Sequence, residues 1–249
     1  MNSMARACSM VVNLLFPRGC AGCDKPDEVL CEACRALFSQ PTAQSFDGVA
    51  MQRWFACGWY RGTVRRAVLA WKDHGDEECD RAFADAICAL AKASGVIDFV
   101  RDRHGSCHDV VVVPAPSSPA SIRRRGRKHM MPIAKHLAGF LREETGCEVT
   151  VRDALENRGV KGKSVQTSGA AQRSQRLKGR VSVCPSVSLR NTMVILVDDI
   201  VTTGATMRSC VETMRKEGAT VVTVLALAHT PAGTQKVGPT QAWSRTQVQ

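Results

Sequence analysis

Apolar and polar positions follow two periods along the chain, one typical of buried strands and one typical of amphipathic helices. Continuous apolar runs at Val110–Val113, Val194–Val197 and Val221–Ala228 predict strands that are buried on both faces. The aromatic-rich run Trp54–Tyr60 predicts a further strand. Apolar residues three or four apart predict four helices, whose buried stripes are Val64, Val68 and Trp71; Phe83, Ile87 and Leu90; Met130, Ile133, Leu137 and Leu141; and Met207, Cys210, Val211 and Met214.

The order of these elements predicts an α/β fold. Strands that alternate with helices indicate a mostly parallel sheet with ligands at the carboxyl ends of its strands. Residues 1–40 resemble a separate small module, and Arg158–Gly169 has the composition of a mobile loop. The polar tail at 231–249 has no period and is predicted to be disordered. We therefore expect one α/β domain at 41–230 between the module and the tail.

Composition narrows the cellular setting. The 249 residues are 44% apolar, which allows a sizeable core, and no apolar run approaches the roughly 20 residues of a membrane helix. Met10–Phe16 is too short for a signal-peptide core, and no small-residue cleavage site follows it. Twelve cysteines in a chain of this size, four of them in metal-ligand spacing, fit reduced thiols better than disulfides. We expect a cytoplasmic protein without membrane insertion.

Positive charge is concentrated in two segments. The net charge is +11, and no acidic residue lies between Asp109 and Glu143 or between Glu156 and Asp198. These gaps hold seven and eight Lys or Arg residues respectively. Such segments attract polyanions, either nucleic acid or a small ligand with several phosphates, although a solvated basic surface is an equal alternative for any single run.

The segment Val194–Thr206 carries the clearest chemical pattern. An apolar strand delivers Asp198 and Asp199 to its carboxyl end, and a Thr/Gly/Thr loop then opens a helix. The backbone N–H groups of such a loop, the helix amino terminus and the hydroxyls together hold one phosphate group. The carboxylates can accept from the vicinal hydroxyls of a ribose. Since neighbours in an extended strand point to opposite faces, we expect the turn to begin between the two aspartates.

This pattern predicts a site for a 5′-phosphorylated ribose. The plain alternative is an Asp-Asp turn with a Thr helix cap. The segment contains neither the Gly-Lys-Ser/Thr of a Walker loop nor a dinucleotide fingerprint. The predicted ribose 5-phosphate ligands are Asp198, Asp199, Thr202, Thr203, Gly204, Ala205 and Thr206.

Four cysteines form two Cys-x-x-Cys pairs separated by seven residues. The pairs are Cys20 with Cys23 and Cys31 with Cys34. Two such turns complete a tetrahedral sulfur site that suits zinc, and full sulfur ligation predicts a structural metal. A redox pair is the alternative for a single Cys-x-x-Cys. Cys88 is predicted to be a small buried hydrophobe on a helix face, as is Cys210.

The apolar strand, acidic pair and Thr/Gly loop resemble the signature of type I phosphoribosyltransferases. Further segments are similar to the ComF family of late-competence proteins, and the resemblance covers roughly residues 10 to 230. The matching segments are Leu14-Leu15-Phe16-Pro17 with the Cys pairs, Tyr60-Arg61-Gly62 followed by Arg66 and Lys72, Val113-Pro114-Ala115-Pro116, Arg125-Gly126, and Gln166 with Arg173 through Gly179.

The resemblance implies a type I phosphoribosyltransferase fold with an amino-terminal zinc module. It implies that a nitrogen nucleophile or water displaces pyrophosphate from Mg²⁺-bound phosphoribosyl pyrophosphate through an oxocarbenium-like state. The implied pyrophosphate contacts are Ala115, Pro116, Ser117 and Lys72. A flexible lid at Arg158–Arg176 would carry the catalytic cations Lys161, Lys163 and Arg173.

The chain departs from the family pattern at four positions. Arg127 and Lys128 replace the common aromatic residue and Asn, Arg176 replaces Asn, and Gln172 replaces an acidic residue.

Two other functions stay open. The resemblance also implies handling of incoming DNA, so a non-catalytic accessory factor that binds single-stranded DNA or the uptake machinery is one alternative. A phosphoribosyl ligand sensor is another. Aromatic residues make up only 5% of the chain, which favours a phosphate ligand over stacked bases. The acceptor is not identified.

Overall fold

The computed structural model describes residues 19–103, 109–157 and 181–231. The strands are β1 (Thr42–Ser45), β2 (Arg53–Trp59), β3 (Asp109–Pro114), β4 (Val149–Val151), β5 (Leu155–Asn157), β6 (Val181–Val183), β7 (Thr192–Val201) and β8 (Thr220–His229). The helices are α1 (Glu32–Ala36), α2 (Gly62–Asp73), α3 (Cys79–Ala93), α4 (Val96–Arg103), α5 (Pro119–Arg125), α6 (Met130–Thr145) and α7 (Ala205–Lys216).

Six strands form one sheet in the order β1-β2-β8-β7-β3-β4. Every neighbouring pair is parallel except β1 with β2. Strands β5 and β6 form a separate antiparallel pair. The carboxyl ends of β2, β8, β7 and β3 therefore meet at one edge of the sheet, which is where ligands bind in folds of this type. The predicted mostly parallel sheet flanked by helices is confirmed.

The two faces of the central strand β7 pack against different helices. Ile195 and Val197 belong to a buried cluster with residues of α2, α3 and α6, whereas Val194 and Leu196 belong to a cluster with residues of α7. The four predicted helical stripes lie in these clusters. Because side chains alternate along a strand, an acidic pair at the end of β7 has one member on each face.

Strand β7 is longer than the sequence suggested. It continues through both aspartates to Val201, which pairs with His229 at the end of the equally long β8. The expected turn between Asp198 and Asp199 is therefore wrong. Continuous pairing with β8 keeps the backbone extended past the acidic pair, and the turn begins only at the threonines.

The four-cysteine segment packs directly onto the helical layer of the sheet. The Phe38 and Phe83 rings lie 5.1 Å apart between this segment and α3. A Cβ on Gly22 would lie 2.7 Å from Thr63 Cγ2 and 2.8 Å from Cys34 Sγ, so only glycine fits against the start of α2. The division into a 1–40 module and a 41–230 domain stays a prediction.

Several expectations fall on parts of the chain that the structure does not describe. Leu14-Leu15-Phe16-Pro17, the lid with Lys161, Lys163 and Arg173, and the tail beyond Pro231 lie outside the described residues. These expectations stay predictions. Within the described ranges, no helix has the length and apolar character needed to cross a membrane.

Candidate functional site

A cavity of about 240 Å³ opens at the carboxyl end of β7. It brings together eight residues that the sequence singled out, which are Lys72, Pro116, Asp198, Asp199, Thr202, Gly204, Ala205 and Thr206. Asn157, Ile200, Val201 and Met207 complete its walls. Residues from α2, from the loops after β3 and β7 and from β5 therefore converge on one space.

Asp199 lies on the α2 and α6 side of the strand and is only 5% exposed. Its Oδ2 atom lies 2.5 Å from Lys72 Nζ and 2.7 Å from His129 Nε2. Burial opposes ionisation, but the hydrogen bond from His129 and the charge of Lys72 hold the pKa of Asp199 well below its usual range. This carboxylate therefore stays ionised at neutral pH.

Asp198 lies on the opposite face, toward α7. Its Oδ1 accepts from the backbone N–H of Asp199 at 2.8 Å. Burial and the negative charge of Asp199 raise the pKa of Asp198 to about 8. At neutral pH the free site therefore holds one ionised and one largely protonated carboxyl group. Both groups border the same cavity although they leave the strand on opposite faces.

The loop after β7 presents backbone donors that have no backbone acceptor within the described part of the chain. Gly204 caps the start of α7 in the left-handed conformation, with φ 71°, and α7 has no side-chain cap. Among the described residues, no backbone carbonyl accepts from the N–H groups of Thr203, Gly204, Ala205 or Thr206. One of these groups, that of Ala205, has a long contact of 3.4 Å with the Thr203 hydroxyl. Such a helix amino terminus suits an anionic group.

Thr203 is the one predicted ribose 5-phosphate ligand that does not line the cavity. Its hydroxyl contacts the N–H of Ala205, and its carbonyl accepts from Arg208 Nη2 at 3.3 Å. The exposed Thr202 and Thr206 line the cavity. The side chain of Thr203 therefore supports the shape of the loop.

The residues predicted to contact pyrophosphate divide between two adjoining cavities. Ala115 and Ser117 line a second space of about 240 Å³. Pro116 lines both spaces, and so does Asn157. Lys72 lines the ribose-side cavity, where its ammonium group pairs with Asp199.

Most cations of the basic segment Arg123–Lys128 form ion pairs with acidic residues of the same chain. Arg124 and Arg125 both pair with Asp73, at 2.8 and 3.0 Å. Arg127 pairs with Asp80 at 2.6 Å and with Glu77 at 3.3 Å, and Lys128 pairs with Asp153. Of these cations, Lys128 borders the second cavity. The segment therefore contributes more to internal ion pairs than its sequence suggests.

His129 and Asp73 lie next to this site, and the sequence did not single them out. A lone histidine after a basic run carries no spacing signal toward an aspartate far along the chain. The start of α6 brings His129 to Asp199 only because α6 packs on the same face of β7 as that carboxylate. Asp73 carried no signal beyond its position next to Lys72.

The four predicted metal ligands meet in one cluster. Their Sγ atoms all lie within 4.8 Å of one another, and Cys23 Sγ lies 3.6 Å from Cys31 Sγ. Sulfurs arranged tetrahedrally around a metal at ~2.3 Å are about 3.8 Å apart, so the set fits a four-coordinate ion. Burial opposes ionisation of Cys20, yet backbone donors, led by the Cys31 N–H, lower its pKa to about 6. Cys88 and Cys210 are buried, as predicted.

Residues 120–242 match the phosphoribosyl transferase domain model. The matched segment is just under half of the chain and includes Asp198–Thr206. It does not include the four cysteines, Lys72 or the start of the loop after β3. The match therefore places Asp198–Thr206 within a segment that is similar to phosphoribosyl transferase domains. No curated protein sequence matches the chain.

Three solved structures illustrate the similarity. An allosteric regulatory enzyme of purine biosynthesis is 22% identical over 52% of this chain, with a TM-score of 0.29. A purine phosphoribosyltransferase from Pyrococcus horikoshii is 18% identical over 60% of this chain and 75% of its own, with a TM-score of 0.34. A hypoxanthine phosphoribosyltransferase from Staphylococcus aureus is 19% identical over 62% and 65%, with a TM-score of 0.33. This chain spans 24% of the first structure's length.

Proposed function

We propose that this protein is a ComF-type phosphoribosyltransferase that binds phosphoribosyl pyrophosphate with Mg²⁺ and transfers the phosphoribosyl group to an acceptor. The observation that carries the proposal is the convergence of Asp198, Asp199 and the uncapped amino terminus of α7 on one cavity. The match of residues 120–242 to the phosphoribosyl transferase domain supports phosphoribosyl transfer in general.

In this proposal the 5′-phosphate binds the backbone N–H groups of the loop Thr202–Thr206. The ribose hydroxyls donate to Asp198 and Asp199. The acceptor's lone pair forms the new bond to the anomeric carbon, while the bonding pair of the C–O bond leaves with pyrophosphate. Mg²⁺ bound with the donor would offset charge on the pyrophosphate oxygens. The proposal assigns Ala115, Pro116 and Ser117 to the departing pyrophosphate.

The lid cations belong to the same proposal. Lys161, Lys163 and Arg173 would close over the leaving group, neutralise its developing charge and exclude water. Lys72 would bind the pyrophosphate after partial release from Asp199, which it contacts in this structure. We further propose that Cys20, Cys23, Cys31 and Cys34 hold a structural zinc ion, because four sulfur ligands leave no position for a substrate.

A pyrophosphate-release assay tests the transferase activity. The protein is incubated with Mg²⁺ and phosphoribosyl pyrophosphate against a panel of nucleobases and amines. Release that requires one acceptor and is lost in Asp198→Asn supports transfer. Binding of the donor without release for any acceptor would favour the ligand sensor. Binding of single-stranded DNA with a steep salt dependence would favour the DNA-uptake accessory role instead.

A further inference from the structure

We infer that His129 is a positioning residue for Asp199 and that Arg125 donates to the opposite ring nitrogen in the tautomer that this role requires. The inference rests on the proposed function of the cavity as a ribose 5-phosphate site. His129 does not line the cavity and acts through the carboxylate. It therefore adds a residue that neither the sequence pattern nor the family match assigns.

The tautomer of His129 follows from its two ring contacts. The ring is buried at 4% exposure, with Nε2 at 2.7 Å from Asp199 Oδ2 and Nδ1 at 3.0 Å from Arg125 Nη1. An arginine guanidinium is a donor at every nitrogen and cannot accept. Nδ1 must therefore accept from Arg125, and Nε2 carries the hydrogen that is donated to Asp199.

Arg125 is itself held in place by an acidic residue of another helix. Its Nε and Nη2 atoms donate to Asp73 Oδ1 at 3.3 and 3.0 Å, and its side chain is only 8% exposed. Partial burial opposes ionisation of Asp73, but the Arg125 and Arg124 guanidiniums hold its pKa below the ordinary value. Gly126, with φ 74°, ends α5. The chain turns there, and His129 lies next to Arg125.

A second set of contacts fixes the plane of the His129 ring. The Trp71 ring packs on it at 5.0 Å with an interplanar angle of 63°. Trp71 Nε1 donates to Asp80 Oδ1 at 2.6 Å, and Arg127 binds both oxygens of Asp80 at 2.6 and 2.9 Å. The two arginines that flank Gly126 therefore restrain His129, one through its Nδ1 atom and the other through its aromatic neighbour.

The contacts of His129 and Lys72 determine the orientation of the Asp199 carboxylate. Among the described residues, the ion pair from Lys72 and the hydrogen bond from His129 both fall on Oδ2 of Asp199. The proposed ribose site then requires Oδ1 to accept from a ligand hydroxyl. Two donors on one oxygen restrict rotation of the carboxylate, the buried His129 most directly, and small misplacements of such a group are costly for catalysis.

Nuclear magnetic resonance tests the tautomer without any ligand. In protein with ¹⁵N-labelled histidine, we expect long-range ring correlations of His129 to show a protonated Nε2 and an unprotonated Nδ1. In Arg125→Met we expect the Nδ1 resonance to move toward that of a nitrogen without a hydrogen-bond donor, while Asp199 keeps Nε2 protonated and Asp73 keeps Arg124 as its partner. A wild-type Nδ1–H tautomer, or an unchanged Nδ1 resonance in Arg125→Met, would overturn the inference. This readout does not depend on the proposed function.

Calorimetric titration with ribose 5-phosphate tests the positioning role. We expect His129→Leu to weaken binding by about 10-fold, because the charge-assisted hydrogen bond to Asp199 is lost. His129→Gln keeps an N–H donor at a similar reach and should stay within about 3-fold of wild type. His136→Leu, at a histidine that pairs with Asp85 away from the cavity, is the matched control.

The outcomes separate the two proposals. If a folded His129→Leu variant binds as wild type does while Asp198→Asn weakens binding, the positioning role is wrong and the ribose site stands. If neither variant changes the affinity, the ribose site itself is wrong. If His129→Leu does not fold, His129→Phe decides, because it keeps a ring beside Trp71 but donates nothing to Asp199, and wild-type affinity in that variant would overturn the positioning role.

Discussion

Lys72 at the last turn of α2 and Asp199 at the carboxyl end of β7 form a 2.5 Å ion pair. This ion pair lowers the negative charge of the proposed site. Two ionised carboxylates beside the loop Thr202–Thr206 would repel an anionic ligand. Here Lys72 offsets the charge of Asp199, and the raised pKa of Asp198 keeps that group largely protonated at neutral pH. Both effects lower the negative charge of the cavity, which favours the anionic ligand that we propose.

Breaking this pair should be costly. Lys72→Met leaves a carboxylate whose side chain is 7% exposed without its cation, and we expect a loss of about 3 kcal/mol in the free energy of unfolding. Urea denaturation measures this loss. The matched control is Lys92→Met, whose 3.5 Å pair with Glu144 involves a lysine that is 61% exposed and should cost at most ~1 kcal/mol. Equal losses in the two variants would contradict the prediction.

The titration of Asp198 predicts how stability depends on pH. Its pKa rises from 3.8 to about 8 on folding, so the folded state binds this proton more tightly than the unfolded state does. This contribution is complete below pH 4 and is lost as the pH rises toward 8. The side chain of Asp198→Asn stays neutral at every pH. The free energy of unfolding of this variant, relative to that of wild type, should therefore be higher at pH 8 than at pH 5 by at least ~1 kcal/mol. Denaturation series at pH 5 and pH 8 measure it; a pH-independent difference would exclude the shift.

Gly204 tests the backbone geometry of the loop. It adopts φ 71°, and an added Cβ would lie 3.4 Å from Met207 Cε, so Gly204→Ala should cost about 1 kcal/mol and weaken ribose 5-phosphate binding. Gly139→Ala, in the middle of α6 with open space around it, should instead be neutral or stabilising by ~0.5–1 kcal/mol. Thermal unfolding and titration of both variants provide the comparison. Unimpaired binding by Gly204→Ala would refute the requirement for this conformation.

The cysteine cluster predicts one tightly held zinc ion per chain. Release of metal after thiol modification, followed with a chromogenic chelator, measures the stoichiometry. Cys34→Ser should lower the zinc content and the melting temperature, because the segment packs on α2 and α3 through Gly22 and Phe38. Cys88→Ser removes a buried thiol outside the cluster and should keep the zinc. Full zinc content in Cys34→Ser would contradict four-sulfur ligation.

The hydrophobic pattern was sufficient for the long elements and insufficient for the short ones. The stripe Met130, Ile133, Leu137 and Leu141 predicted α6, because a long buried face carries a clear period. Strands β4, β5 and β6 have three residues each, which is too short for a period to appear. The length of β7 depended on its partner β8, and pairing between strands is not a local property.

The same limit applies to the site. Contiguous residues such as Asp198 and Gly204 were found because a strand, a turn and a helix start follow one another in sequence. The contacts of Asp199 with Lys72 and His129 join α2, α6 and β7, and no local pattern encodes them. The basic segment was misleading for a related reason, since Arg125 and Arg127 are paired by acidic residues of other helices.

The central claim is that the end of β7 binds a 5-phosphorylated ribose, and one calorimetric titration tests it most directly. Phosphoribosyl pyrophosphate with Mg²⁺ is titrated at pH 8 into wild type, Asp198→Asn and the control Asp98→Asn, whose side chain is 74% exposed on α4. We predict binding by wild type, an affinity at least ~10-fold lower in Asp198→Asn, and no change in Asp98→Asn. Equal affinity in all three proteins, or no binding by wild type, would contradict the account.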